Sequence, residues 1–164
     1  MKMRKGFTLV ELLIVIVIIG ILASAMLLSS GSATASAEAS NIVNNLRSLK
    51  SASVMFYADS MDAVADAKGK LPSGANIESL KDYTDNPDRF KSGSGYEFKD
   101  NGGKTWYVGV NLSTLKLSST IADVVAKLSG KAESLALFGT TGAVPTTTSP
   151  GVAAGSTMIW MRAR

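Results

Sequence analysis

The 164-residue chain has no cysteine and no histidine. Without cysteine there is no disulfide, no thiolate metal site and no cysteine nucleophile. Any fold outside the cytoplasm must then hold by packing alone. Without histidine there is no Ser-His-Asp triad, no imidazole base and no histidine-ligated metal. Aromatic residues make up 7% of the chain and charged residues 18%, both low. No proline occurs before Pro72. The lack of histidine counts against catalysis, and we expect a protein that is not an enzyme.

What is present is unevenly placed. The formal net charge is +4, and Lys2, Arg4 and Lys5 supply three of those charges. From residue 7 onward, 14 basic side chains face 13 acidic ones. A basic balance would ordinarily suggest nucleic acid or an anionic membrane. Here it is an N-terminal feature. Lys99, Lys104, Lys116, Lys127 and Lys131, with Trp106 and Tyr107 nearby in sequence, are therefore only a faint pointer to DNA.

After Gly6 comes FTLVELLIVIVIIGILASAMLL, Phe7 to Leu28, with one charge, Glu11. As a helix these residues span about 33 Å, one hydrocarbon core. Cations ahead of the span keep the N-terminus cytoplasmic and place the rest across the inner membrane. Two plain readings compete. One is a secretory signal peptide cut at Ala23-Ser24-Ala25, but the apolar run exceeds the usual core and holds a carboxylate. The other is a simple anchor, which leaves Glu11 unexplained, since a mid-bilayer carboxylate costs about 2.5–3.5 kcal/mol.

Lys5-Gly6-Phe7-Thr8-Leu9-Val10-Glu11, running into an unbroken apolar helix, resembles the class III leader of type IV pilins and type II secretion pseudopilins. The resemblance covers residues 2 to about 30. It implies that a prepilin peptidase cuts between Gly6 and Phe7 and methylates the new Phe7 amine. It implies that Glu11, near its own N-terminal charge and the helix dipole, pairs with the Phe7 amine of a neighbouring subunit and sets the axial register. It also makes Gly20 a point where the helix loosens on assembly. The plainer reading of Gly20 is a small residue for close helix packing.

Ser29–Ala37 is small and polar, a flexible linker by composition, although it can also continue a helix. Beyond it Ile42, Leu46, Leu49, Phe56, Met61 and Val64 form one helical stripe. We expect that helix to reach about Ala67, stopped by Gly69 and Pro72. With the anchor it would be about 90 Å long. Residues beyond it read as a short helix over Asn76–Tyr83 capped by Asn76, a loop over Asp82–Asp88, and a hairpin of Tyr96–Phe98 with Thr105–Val110. A second helix follows, capped by Ser118 or Ser119 and extending to about Ser134, with Gly130 against the extension. Ala143–Gly155 is an exposed loop. Met158–Arg162 is a last strand, with Met158, Trp160 and Arg162 on one face and Ile159 and Met161 on the other.

The expected fold class is α+β: a long N-terminal helix, its hydrophobic half protruding, packed against a small antiparallel sheet. The expected segments are a leader over 1–6, a transmembrane and filament-core helix over 7–28, its amphipathic continuation over 29–67, and a globular head over 68–164. Asp82, Asp85 and Asp88, with Asp100 as a further candidate, are the only acidic cluster. Carboxylates in a loop can hold calcium, as in some pseudopilins, but regular EF-hand spacing is absent; capped turns are the plainer reading. No other cofactor is expected.

The resemblance implies a structural subunit of a type IV pilus, with like subunits, prepilin peptidase, the inner-membrane assembly machinery and the membrane itself as partners. The alternative is a pseudopilin forming a short periplasmic fibre. A third reading is a membrane-anchored binding protein or enzyme.

Overall fold

One helix organises the molecule. In the computed structural model, residues 6–60, 71–102 and 104–164 are described, with residues 28–30 as backbone only. Helix α1 runs unbroken over Leu9–Ser60. With no proline to interrupt it, the small-residue stretch after Leu28 stays helical rather than becoming a linker. The expected continuation to Ala67, with Met61 and Val64, lies outside the described residues.

The two halves of α1 differ in what they touch. From Phe7 to Leu27 every side chain is exposed. In the second half, Ala35, Ala39, Ile42, Val43, Leu46, Leu49 and Ala52 are buried, and Phe56 is half-buried. The buried positions recur at three and four, the spacing of one helix face.

The head lies against that face. A 3-10 helix, Ile77–Tyr83, is capped by Asn76, whose side chain accepts from the Glu78 backbone N–H. The expected position and cap hold, but the winding is 3-10 rather than α. The loop after it carries a second 3-10 turn, Pro87–Phe90. Then come β1 (Tyr96–Asp100) and β2 (Trp106–Asn111), paired antiparallel as the hairpin pattern indicates. Gly102 sits at φ 82, the left-handed region that glycine enters freely.

Helix α2 spans Ile121–Ser129 and corrects two expectations. Its cap is Thr120, which accepts from the Asp123 N–H, and not Ser118 or Ser119. It also stops at Gly130, short of Ser134, and a separate short helix, α3, covers Ala132–Leu135. Strand β3, Leu137–Thr140, was not foreseen; β4 is Met158–Arg162. The sheet order is β1-β2-β4-β3, antiparallel throughout.

Both sheet faces are covered. Ile159 and Met161 join α1, α2 and the hairpin in the main core. Met158 and Trp160 lie with Tyr107 and Phe138 in a smaller cluster on the opposite face, packed by Val144. Arg162 lies over the Phe138 ring at 5.3 Å, so the expected division of β4 into two faces holds. Gly109 makes the second cluster possible: a Cβ there would meet the Trp160 ring at 2.3 Å. The segment Ala143–Gly155 is largely exposed as expected, but Pro145 and Val152 are buried, and Gly151 exchanges backbone hydrogen bonds with Gly139 and Leu137.

Candidate functional site

The first turn of α1 holds a carboxylate in a defined place. Thr8 stands just ahead of the helix, and Glu11 is its third residue. The Thr8 backbone N–H donates to Glu11 Oε2 at 2.8 Å, and the Thr8 hydroxyl donates to the same oxygen at 2.7 Å. The Glu11 N–H in turn donates to Thr8 Oγ1 at 3.3 Å. This is the reciprocal capping box that a T-x-x-E sequence makes at a helix start. The sequence reading singled out Glu11 and passed over Thr8, although Thr8-Leu9-Val10-Glu11 was the signal that would have found it.

Both Thr8 bonds fall on Oε2. Oε1 accepts nothing from the described residues, so it can take an external donor without breaking the cap. Phe7, next to this turn, is 93% exposed. Gly6 and Phe7 stand ahead of the helix, and both are exposed. The leader residues before Gly6 lie outside the described residues.

Around this polar turn the surface is apolar. Leu9, Val10, Leu12, Leu13 and the branched residues up to Leu22 are each more than half exposed. Among the described residues, nothing in the head covers them. This is the one helix among the described residues long and apolar enough to cross a membrane. At Gly20 the helix is intact, and the Ser24 hydroxyl donates to the Gly20 carbonyl at 2.8 Å. A Cβ at Gly20 would meet nothing within 4 Å inside the monomer, so the small residue does not serve packing within this chain.

The lower head is tied to α1 by polar contacts that sequence spacing could not reveal. Glu38 accepts backbone N–H bonds from Ser118 at 2.6 Å and Ser119 at 3.2 Å, just ahead of the α2 cap. The Ser118 bond is the main cause holding the Glu38 carboxyl below its ordinary pKa. Lys127 Nζ donates to Ser32 Oγ at 2.9 Å. Higher up, Arg89 donates to Asn45 Oδ1 at 3.1 Å, and Asn45 Nδ2 donates to the Tyr96 hydroxyl at 2.7 Å. Burial, as the larger effect, pushes the Tyr96 phenol above its ordinary pKa.

The remaining sequence candidates are scattered. Asp82, Asp85 and Asp88 are all exposed, and Asp88 lies 4.0 Å from Lys91. Among the described residues no group of three acidic side chains is gathered to hold a metal. Trp106 and Tyr107 are 1% and 2% exposed, so neither offers a stacking face to DNA bases. In the cleft of about 330 Å³ beside β1, the two charged side chains, Glu97 and Lys99, pair with each other at 2.6 Å.

The geometry describes an exposed apolar helix, started by a capped acidic turn and carrying a separately packed head. Comparison with known proteins agrees at that end of the chain. Residues 1–27 match the family model described as the prokaryotic N-terminal methylation motif. That motif is a class III prepilin leader, of the type found in type IV pilins and pseudopilins. The match covers 27 of 164 residues, the leader and the apolar part of α1, and does not reach the head. A search of curated proteins and a search of solved structures gave no match.

Proposed function

We propose that the chain is a pilin. In this reading a prepilin peptidase cuts it after Gly6 and methylates Phe7, and the product polymerises through residues 7–28 into a type IV pilus. The observation that carries the reading is the methylation motif set on a helix whose first half lies bare while its second half is buried under the head.

The bare half has two successive environments. Before assembly its apolar side chains sit in the inner membrane as a single span, with the N-terminus cytoplasmic. In the fibre the same side chains bury against neighbouring helices, and the heads form the surface. Association needs no exposure of apolar area to water at either stage.

Glu11 gives the assembly its register. An unpaired carboxylate among packed apolar helices is costly. Its Oε2 is held by Thr8, which leaves Oε1 to accept the Phe7 ammonium of the adjacent subunit. Only one axial offset between subunits brings those two groups together. Gly20 then serves as a close-approach point between helices or as a place where the helix loosens.

A pseudopilin of a type II secretion system is the second reading. The absence of cysteine favours it, because many pilins close a C-terminal loop with a disulfide. Overexpression followed by electron microscopy separates the two. Long surface fibres support the pilin, and short fibres confined to the periplasm support the pseudopilin. A protein found only as a membrane monomer, unaffected by Glu11→Ala, would defeat both.

A further inference from the structure

We propose that Asn101 is a self-modifying site. Its side-chain amide cyclises onto the Gly102 backbone nitrogen and leaves as ammonia, so that the β1–β2 turn comes to hold aspartate or isoaspartate. Of the seven asparagines in the chain, only Asn101 is followed by glycine. Ring closure needs an asparagine side chain that is free to swing. It also needs a following nitrogen that no side chain shields.

The turn meets both needs. Asp100, Asn101 and Gly102 are exposed. The Asn101 N–H donates to the Thr105 carbonyl at 3.3 Å, so the turn is closed through its backbone. The Asn101 side chain makes no hydrogen bond to any other described residue. Gly102 has φ 82, and a Cβ there would meet nothing within 4 Å, so its nitrogen is approached through open space. The other asparagines are tied or turned away. Asn45, Asn76, Asn86 and Asn111 hold their side-chain oxygens on donors from Arg89, Glu78, Arg89 and Ser113. Asn86 also precedes Pro87, which has no N–H to surrender. Asn41 and Asn44 lie inside α1, where the next backbone N–H is committed to the helix ladder.

Asp100 supplies the base. Its Oδ1 accepts the Gly102 N–H at 3.3 Å. The Gly102 nitrogen gives its proton to that carboxylate and bonds to Asn101 Cγ. The Cγ–Nδ2 bond breaks, Nδ2 takes the proton back, and ammonia departs. Water then opens the cyclic imide. Attack at the side-chain carbonyl gives aspartate. Attack at the main-chain carbonyl gives isoaspartate, with the backbone rerouted through the side chain. Nothing is oxidised or reduced.

The change adds a carboxylate beside Asp100 and removes the small basic excess of the chain after Gly6, giving 14 acids against 14 bases. Conversion needs only water and time, so the turn records the age of each subunit. The inference stands on the head alone and requires neither processing nor polymerisation.

The test is incubation of the full chain in detergent at neutral pH, followed by peptide mapping over time. Chymotrypsin, cutting after Phe98 and Trp106, releases Lys99–Trp106. Digestion in heavy-oxygen water marks any amide lost during handling. The expected peptide shows an amide-to-acid mass gain that rises with time, with isoaspartate the larger share by electron-transfer fragmentation. Asn101→Gln should keep its amide, and Asp100→Ala should slow the loss several-fold, both with the melting temperature unchanged. An amide that persists at Asn101, a faster loss at another asparagine, or acid formed without isoaspartate overturns the proposal. An unchanged rate in Asp100→Ala would equally overturn it.

Discussion

At the scale of single residues, two carboxylates on one helix do different work. Glu11 caps the helix start with Thr8, and Glu38 clamps α2 to α1. Thr8→Ala removes the cap hydroxyl and should cost about 1 kcal/mol of local helix stability. Faster amide exchange at residues 9–12 in micelles, with the rest of α1 unchanged, would register it. Glu38 gives a pH signature. Its folded pKa is depressed, so its contribution is present above the ordinary glutamate value of about 4.3 and lost as the pH falls through the folded value. In detergent, the melting temperature of the full chain should fall over that acid range. Glu38→Gln should lower it at neutral pH and flatten the acid decline. The group is only partly buried, so the effect is small. Glu11 was legible in the sequence because one charge in a long apolar run is conspicuous, and its partner is three residues away. Glu38 was not, because its partners are 80 and 81 positions distant.

Elements were legible where their own periodicity defined them. The α1 stripe of Ile42, Leu46 and Leu49 is in the core, and the alternation of Met158–Arg162 divides β4 between two clusters. Strand β3 escaped because it has four residues, one of them glycine, and owes its form to pairing with β4. The end of α2 was overrun because its apolar spacing continues past Gly130, whereas the backbone turns there and the next residues form α3. Ala35 lay in the stretch that composition leaves between linker and helix, and Ala39 was outside the stripe, yet both are fully buried and share the core with Val124, Val125 and Leu128 of α2. Small side chains there let two helices approach. Leu46→Ala should cost about 2–5 kcal/mol, as expected for a buried leucine. Gly109→Ala should cost about 1–3 kcal/mol by forcing the Trp160 ring aside. Chemical denaturation of the detergent-solubilised chain measures both, and tryptophan fluorescence should change with the second.

For the molecule as a whole, the three leader cations and the nearly neutral remainder fit a precursor oriented by a segment that is later removed. The head has two covered sheet faces and no cysteine, so packing and polar ties hold it. The apolar half of α1 is the part that the monomer leaves unfinished, and the proposed polymer completes it. Glu11→Ala should still be cleaved and inserted but yield few fibres, measured as the sheared fraction against total protein. Native fibres should be unaffected by reducing agents, since no disulfide holds the subunit. The most direct test of the central claim is N-terminal and intact-mass analysis of sheared fibres. The account predicts a chain beginning at N-methylated Phe7. A chain that starts after Ala25, or that retains Met1 within the fibre, would contradict it.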